Sequence, residues 1–249
     1  MLSIISSAKT LDFENKNIPG VSTEPIFREQ TNQILSTCQN LSIEDIMSLM
    51  SVSKKIATLN YERFRSYESA PTKAALLAYN GDVYENIKAN NFSREELIFA
   101  NKHLGIISGL YGLLKPLDSI KPYRLEMGIK LVDKGLLSKF WANSITDYIN
   151  KTLSSHTSKY LINLASKEYS DAIDTAKLLF PIFNIIFKES RAGKLQIIGI
   201  NAKKARGLML GYIMSNQIDN IEGLKKFSKE GYSFRPELSS SYDLIFIRE

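Results

Sequence analysis

The spacing of apolar residues changes near the middle of this 249-residue chain, and that change constrains its fold most. After one short apolar run at residues 2–6, the first half carries helical signals, whereas the second half carries short β-branched and aromatic runs typical of strands. The elements follow neither a regular β-α-β order nor a repeat. The sequence therefore predicts an α+β fold, one compact domain over residues 1–249 with mixed topology.

The helices and hairpins are marked by local signals. Ser42 with Asp45, and Ser93 with Glu96, have the form of capping boxes, so helices are predicted to begin there, the second running to about residue 104. An apolar stripe at residues 56–64 predicts another helix. The second half is predicted to form two hairpins and two helices: strands 185–188 with 195–200, strands 232–235 with 244–248, and helices 138–153 and 201–217.

Several classes of protein are excluded or disfavoured by composition. No run of about 18 apolar residues and no basic leader occur, so we expect a cytoplasmic protein with no membrane partner. One cysteine, Cys38, excludes an internal disulfide, and its apolar surroundings favour a buried, inert thiol. Ligand spacing gives no support to a metal site, and no cofactor motif is present. A monomer is favoured, although nothing in the sequence fixes the oligomeric state.

The net charge of +6 is concentrated in one acid-free stretch, residues 190–218. Within it, Lys203, Lys204 and Arg206 follow a predicted strand and open a predicted helix, so backbone amides and cationic side chains could face the same anion. The alternative is that these cations form the solvated face of an amphipathic helix. Cations at a helix N-terminus are electrostatically misplaced unless an anion joins them, which favours a binding role.

A pair of glycines, Gly109 and Gly112, follows the helix predicted from Ser93. Their spacing permits a tight turn of positive φ whose amides could contact a phosphate, as in helix-hairpin-helix modules that grip the backbone of nucleic acids. We place such an element at residues 93–117, with residues 221–232 as a competing location. The alternative is a buried turn in which glycine only permits close packing.

The loop at residues 120–128 mixes aromatic and charged side chains. Tyr123 offers a stacking face and Arg124 a bidentate phosphate donor that Glu126 could orient. A simple salt bridge of Arg124 that locks the loop is the alternative.

An acid/base group is a second interpretation of the same region. Asp82, Asp118 and Glu126, with Tyr111, would have to meet in one cleft for that chemistry, which sequence does not show.

Several motifs together resemble the YaaA family of bacterial peroxide-stress-resistance proteins. The resemblance runs over nearly the whole chain and rests on residues 5–12, 80–84, 110–128, 163–169 and 202–207. Two positions depart from the family pattern: Ser7 stands where proline is usual, and Asn80 where lysine often precedes the G-D-V-Y tetrad. The first could relax the turn that holds Lys9, and the second removes one cation from the cleft.

The resemblance implies a single-domain cytoplasmic protein of unusual α+β fold with a positively charged cleft and a helix-hairpin-helix. It also implies protection against hydrogen peroxide, limitation of damage from intracellular iron, and DNA binding linked to repair and recombination. It implies no established reaction, so enzymatic activity stays open.

We therefore expect a sequence-nonspecific protein that binds duplex or distorted DNA through phosphates in a basic cleft. The expected contacts are the hairpin amides of Gly109 and Gly112, stacking by Tyr111 or Tyr123, and the cations Lys9, Lys115, Arg124, Lys203, Lys204 and Arg206. The alternative is an enzyme acting on a nucleic acid or nucleotide with Asp82, Asp118 or Glu126 as acid or base. Iron handling has the least support, since two histidines and one cysteine would leave the ligation to carboxylates.

Overall fold

The computed structural model describes residues 1–14, 22–191 and 193–249. The helices are α1 Arg28–Gln39, α2 Ile43–Met50, α3 Lys54–Arg65, α4 Ala75–Ala78, α5 Asp82–Ile87, α6 Arg94–His103, α7 Leu137–Ser154, α8 Lys167–Ser170, α9 Gly199–Ser215 and α10 Ile221–Lys225. The strands are β1 Leu2–Ser6, β2 Thr10–Leu11, β3 Lys73–Ala74, β4 Tyr79–Asn80, β5 Leu104–Ser108, β6 Gly112–Leu114, β7 Ser119–Ile120, β8 Lys130–Leu131, β9 Gly135–Leu136, β10 Leu161–Asn163, β11 Ile182–Arg191, β12 Lys194–Gln196, β13 Tyr232–Phe234 and β14 Asp243–Arg248.

A mixed sheet organises the molecule, in the order β13-β14-β11-β10-β1-β5-β6, with β12 added to β11. The pairs between β14, β11, β10, β1 and β5 are parallel, whereas β6, β12 and β13 pair antiparallel. The predicted α+β class is therefore confirmed. The central strands are short apolar runs because the helices of the chain cover them.

Local signals located most elements correctly. Both capping boxes form: the Ser42 hydroxyl accepts from the Asp45 amide, and the Ser93 hydroxyl accepts from the Glu96 amide. The two predicted hairpins are present as β11–β12 and β13–β14, although the first is shorter than expected because α9 begins at Gly199. Ala192, in the predicted turn of that hairpin, lies outside the described residues.

The helix-hairpin-helix predicted at residues 93–117 is wrong. The chain passes from α6 directly into β5, and Gly109 and Gly112 lie in the turn of the β5–β6 hairpin. Gly112 does adopt the predicted positive φ, at 72°. At the competing location, α10 is followed by β13 and not by a second helix.

Two packed helices joined by a short turn occur instead at α2 and α3. Residues 51–53 connect them, and Ser51 takes the left-handed conformation that ends α2, with φ 50°. Lys54 and Lys55 are exposed at the start of α3. The first turn of α3 has no side-chain cap, so its amides are left to solvent or a ligand.

Helices α5 and α9 approach each other backbone to backbone. A Cβ atom on Gly207 of α9 would lie 2.1 Å from the carbonyl oxygen of Val83 in α5, and one on Gly211 would lie 2.9 Å from that of Ile87. A side chain at position 207 would therefore push the helices apart.

Replacing Gly207 with Ala is expected to lower the free energy of unfolding by about 2–3 kcal/mol, because the added methyl group has no room. Urea denaturation measures the change. Gly199→Ala is the matched control, since nothing lies within 4 Å of its Cβ position in the same helix. An equal effect of both substitutions would contradict the close contact.

Candidate functional site

The candidate site lies where neighbouring parallel strands send the chain in opposite directions. After β1 the next strand of the central sheet is β5 on one side, whereas after β10 it is β11 on the other side. Such a switch point leaves a crevice outside the carboxyl ends of the two strands, which is where open sheets with parallel strands commonly bind ligands. In this protein the crevice is a cavity of about 440 Å³. We call it the switch-point cleft.

Four parts of the chain surround the switch-point cleft: the segments after β1 and β10, the turn into α5, and one face of α9. Its lining residues are 5–10, 80–84, Leu164, Ser166, Glu168, Tyr169, Lys203 and Arg206. Three cations predicted as phosphate contacts, Lys9, Lys203 and Arg206, are thus brought together from distant parts of the sequence. Lys204 is exposed on α9 but does not line the cleft.

Arg206 is the most telling of these cations. It is half-buried, and desolvation lowers the pKa of its guanidinium group. Among residues 1–14, 22–191 and 193–249, no carboxylate pairs with it and no hydrogen bond satisfies it. A partly desolvated, unpaired charge is unfavourable, so an anion that entered the cleft would gain a strong, charge-assisted contact.

Lys9 is held at the rim by an acidic neighbour. Its Nζ atom lies 3.6 Å from Glu126 Oε1. The same oxygen accepts from Arg124 Nε at 3.0 Å and from Arg124 Nη2 at 2.8 Å. The predicted pairing of Arg124 with Glu126 therefore exists, and it locks the loop beside the cleft. The guanidinium group of Arg124 donates these hydrogen bonds to Glu126, and Arg124 does not line the cavity.

Two carboxylates also face the cavity. Glu168 is anchored, because its Oε1 atom accepts from the amide of Gly128 at 2.9 Å. The Asp82 carboxylate has no partner within the described part of the chain and pairs with none of the cleft cations. Within the described residues, the cleft thus holds an unpaired carboxylate, Asp82, and an unpaired guanidinium group, Arg206, that form no ion pair with each other.

Hydroxyl groups line the base of the cleft. The Ser6 hydroxyl accepts from the Ser166 amide at 2.9 Å, which ties the ends of β1 and β10 together. The Ser7 side chain acts on both Tyr123 and Tyr169, lowering the pKa of each phenol and so offsetting part of the effect of burial. Burial raises the pKa of Tyr123 to about 12 and holds that of Tyr169 well above its usual range. Both phenols therefore stay protonated at neutral pH and act as neutral hydrogen-bonding groups.

Several predicted contacts lie in the core instead. Tyr111 is 2% exposed and Tyr123 is 3% exposed, so neither can stack on a base. Their hydroxyls pair with those of Tyr67 at 2.7 Å and Tyr79 at 2.5 Å. Tyr111 was expected at the surface because it lies in the glycine turn, and Tyr123 because it lies in a loop of aromatic and charged residues, but each hydroxyl has a buried partner.

The glycine turn is equally inaccessible. The Gly109 carbonyl accepts from Trp141 Nε1 at 2.9 Å, and a Cβ atom on Gly112 would lie 2.6 Å from the Trp141 ring. The two glycines permit close packing in a buried turn, which was the alternative interpretation of this motif. Their amides are therefore not available to phosphate.

Lys115 and Asp118 lie away from the cleft. Lys115 lines a separate cavity beside His103 and His156. Asp118 is fully buried and accepts from the Thr23 hydroxyl at 2.6 Å and from the Lys115 amide at 2.8 Å. Desolvation raises the pKa of Asp118. The three candidate acids therefore do not converge, and only Asp82 lines the cleft.

Sequence reasoning missed Ser166, Glu168 and Tyr169 as site residues. They follow β10, whose carboxyl end adjoins that of β1. Knowledge of that parallel pairing would have found them, since both segments end at the same edge of the sheet. The described residues contain no cluster of three His, Cys, Asp or Glu side chains that could hold a metal ion.

An α+β protein with a cation-lined cleft at its switch point is the class that these features define. The model of the family described as peroxide stress protein YaaA matches residues 1–238. The chain is 53% identical over 249 residues to a UPF0246 protein of Rickettsia felis and 52% identical over 248 residues to one of Rickettsia bellii, each covering 100% of both chains. The chain therefore belongs to the peroxide stress protein YaaA family, which supports a role in peroxide stress. No helix in the described residues is long and apolar enough to span a membrane.

Cys38 is fully buried in α1, as its sequence neighbours suggested. Burial raises the pKa of its thiol to about 12. Because the thiolate is the reactive form, we expect alkylation by iodoacetamide at pH 8 to be roughly a hundredfold or more slower in the folded protein than in urea. Mass spectrometry of the alkylated protein follows the reaction. Comparable rates in both states would show an accessible thiol able to sense peroxide.

Proposed function

We propose that this protein binds DNA without sequence preference during peroxide stress, by holding backbone phosphate in the switch-point cleft. The observation that carries the proposal is Arg206, a half-buried guanidinium with no partner in the described residues, which shares the cleft with Lys203 and Lys9. Phosphate contacts of Lys and Arg supply most of the affinity of nonspecific DNA binding. Duplex or distorted DNA meets this requirement, because the backbone charge is common to both.

The acid-free stretch supports the same surface. Lys203 and Lys204 are exposed on α9, and Arg191 and Lys194 are exposed in the adjoining β11–β12 hairpin. No acidic residue lies between residues 190 and 218 to oppose an approaching polyanion. The solvated-helix interpretation accounts for Lys204 but not for Arg206, whose side chain is turned into the cleft.

The hairpin of α2 and α3 offers a second phosphate contact. The first turn of α3 has no side-chain cap, and Lys54 and Lys55 are exposed beside its amides, so this turn supplies hydrogen-bond donors and positive charge to a backbone phosphate.

An enzyme acting on a nucleic acid or nucleotide remains the second candidate. Of the three candidate acid or base residues, only Asp82 still supports it, because Asp118 is buried elsewhere and Glu126 is paired with Arg124 and Lys9. Incubating the protein with end-labelled DNA and nucleotides tests it, and a new product that Asp82→Asn abolishes would favour it.

The DNA-binding proposal is tested by fluorescence anisotropy on a labelled duplex across a salt series. Arg206→Ala is expected to weaken binding about tenfold to a hundredfold and to reduce the log-log salt slope by about 0.9. Lys139→Ala is the matched control, since it removes one exposed positive charge from α7, outside the cleft.

Thermal unfolding of each variant confirms that it is folded. Binding that is insensitive to salt, or equal losses for Arg206→Ala and Lys139→Ala, would contradict the proposal.

A further inference from the structure

The switch-point cleft is too small for a double helix. Its volume of about 440 Å³ lies within the range of small-ligand sites, roughly 300–1,000 Å³. A duplex can therefore present only a backbone phosphate to Arg206, whereas distorted DNA can also bring the nucleotide attached to that phosphate into the cavity. That nucleotide must be unpaired, because its partner strand has no room.

The charges of the cleft suit a ligand that carries both a negative group and hydrogen-bond donors. Arg206 and Lys203 attract an anion, whereas the Asp82 carboxylate at the start of α5, which lines the same cavity, would repel one. An unpaired carboxylate is stabilised by N–H donors. Phosphate alone satisfies one side of the cavity, but a nucleotide whose base carries N–H groups satisfies both.

The surfaces between these charges suit a base. The lining of the cavity includes the half-buried Val83, together with Ile5, Leu164, Tyr84 and Tyr169, which are only 1–7% exposed and so form its inner wall. The Tyr84 hydroxyl is fixed by donation to the Ser6 carbonyl oxygen at 2.9 Å, so the ring is held in place. Fixed aromatic and apolar walls are the usual environment of an unstacked base.

We infer that the switch-point cleft is a site for one unpaired nucleotide, with phosphate on Arg206 and Lys203 and a donor-bearing base on Asp82. The inference rests on the proposed function, because DNA is the source of the nucleotide. Guanine suits the carboxylate best: its N1–H and N2–H donors lie side by side and match two carboxylate oxygens. Thymine suits it least, since its single N3–H is flanked by two carbonyl oxygens.

Isothermal titration with dGMP, dTMP and deoxyribose 5-phosphate tests the inference. The protein is expected to bind dGMP about tenfold or more tightly than the other two probes. Asp82→Asn is expected to remove that preference and to strengthen the binding of deoxyribose 5-phosphate slightly, because the substitution removes a carboxylate that repels the phosphate. Glu85→Gln is the matched control, because it removes an exposed acid from the same helix without touching the cleft.

The outcomes separate the inference from the proposed function when duplex binding is measured on the same variants. Equal binding of all three probes, or a dGMP preference that survives Asp82→Asn, would overturn the nucleotide site. If duplex binding still depended on Arg206 in that case, DNA binding by the cleft would stand. Selective dGMP binding without any duplex binding would support the pocket and overturn the DNA proposal.

Discussion

The backbone contact between α5 and α9 is the constraint on which the cleft depends. Because residue 207 is glycine, α9 can approach the carbonyl oxygen of Val83 so closely that a Cβ atom would have no room there. Asp82 of α5 and the α9 residues Lys203 and Arg206 line one cavity beside this contact. The neighbouring Arg206 thereby becomes half-buried without gaining a carboxylate partner. The cleft thus results from helix packing, and the same glycine stabilises the fold.

The parallel strands supply the rest of the site. The segments after β1 and β10 reach the same edge of the sheet, and the contact between the Ser6 hydroxyl and the Ser166 amide joins them. Lys9 then reaches the rim, where Glu126 holds it. The order of the strands in the sheet brings these charged residues to one edge. Residues far apart in sequence therefore line the same cavity.

Sequence patterns predicted what depends on near neighbours. Capping boxes placed α2 and α6, and the spacing of glycines anticipated the positive φ of Gly112. The pairing of β1 with β10 joins residues about 160 positions apart, and no local pattern encodes it. Burial of Tyr111 and Tyr123 was missed for a related reason: the hydroxyls that pair with them, on Tyr67 and Tyr79, come from other parts of the chain. Lys203 and Arg206 were found because their charge is concentrated locally.

The proposed function requires that an anionic ligand enter the switch-point cleft. Hydrogen–deuterium exchange with and without duplex DNA tests it most directly, since it maps the bound surface on the unmodified protein. If DNA binds in the cleft, amides at residues 6–10, 80–84 and 164–169, around the cavity, are expected to exchange more slowly with DNA than without it. Protection confined to other surfaces, such as the cavity beside His103 and His156, would contradict it.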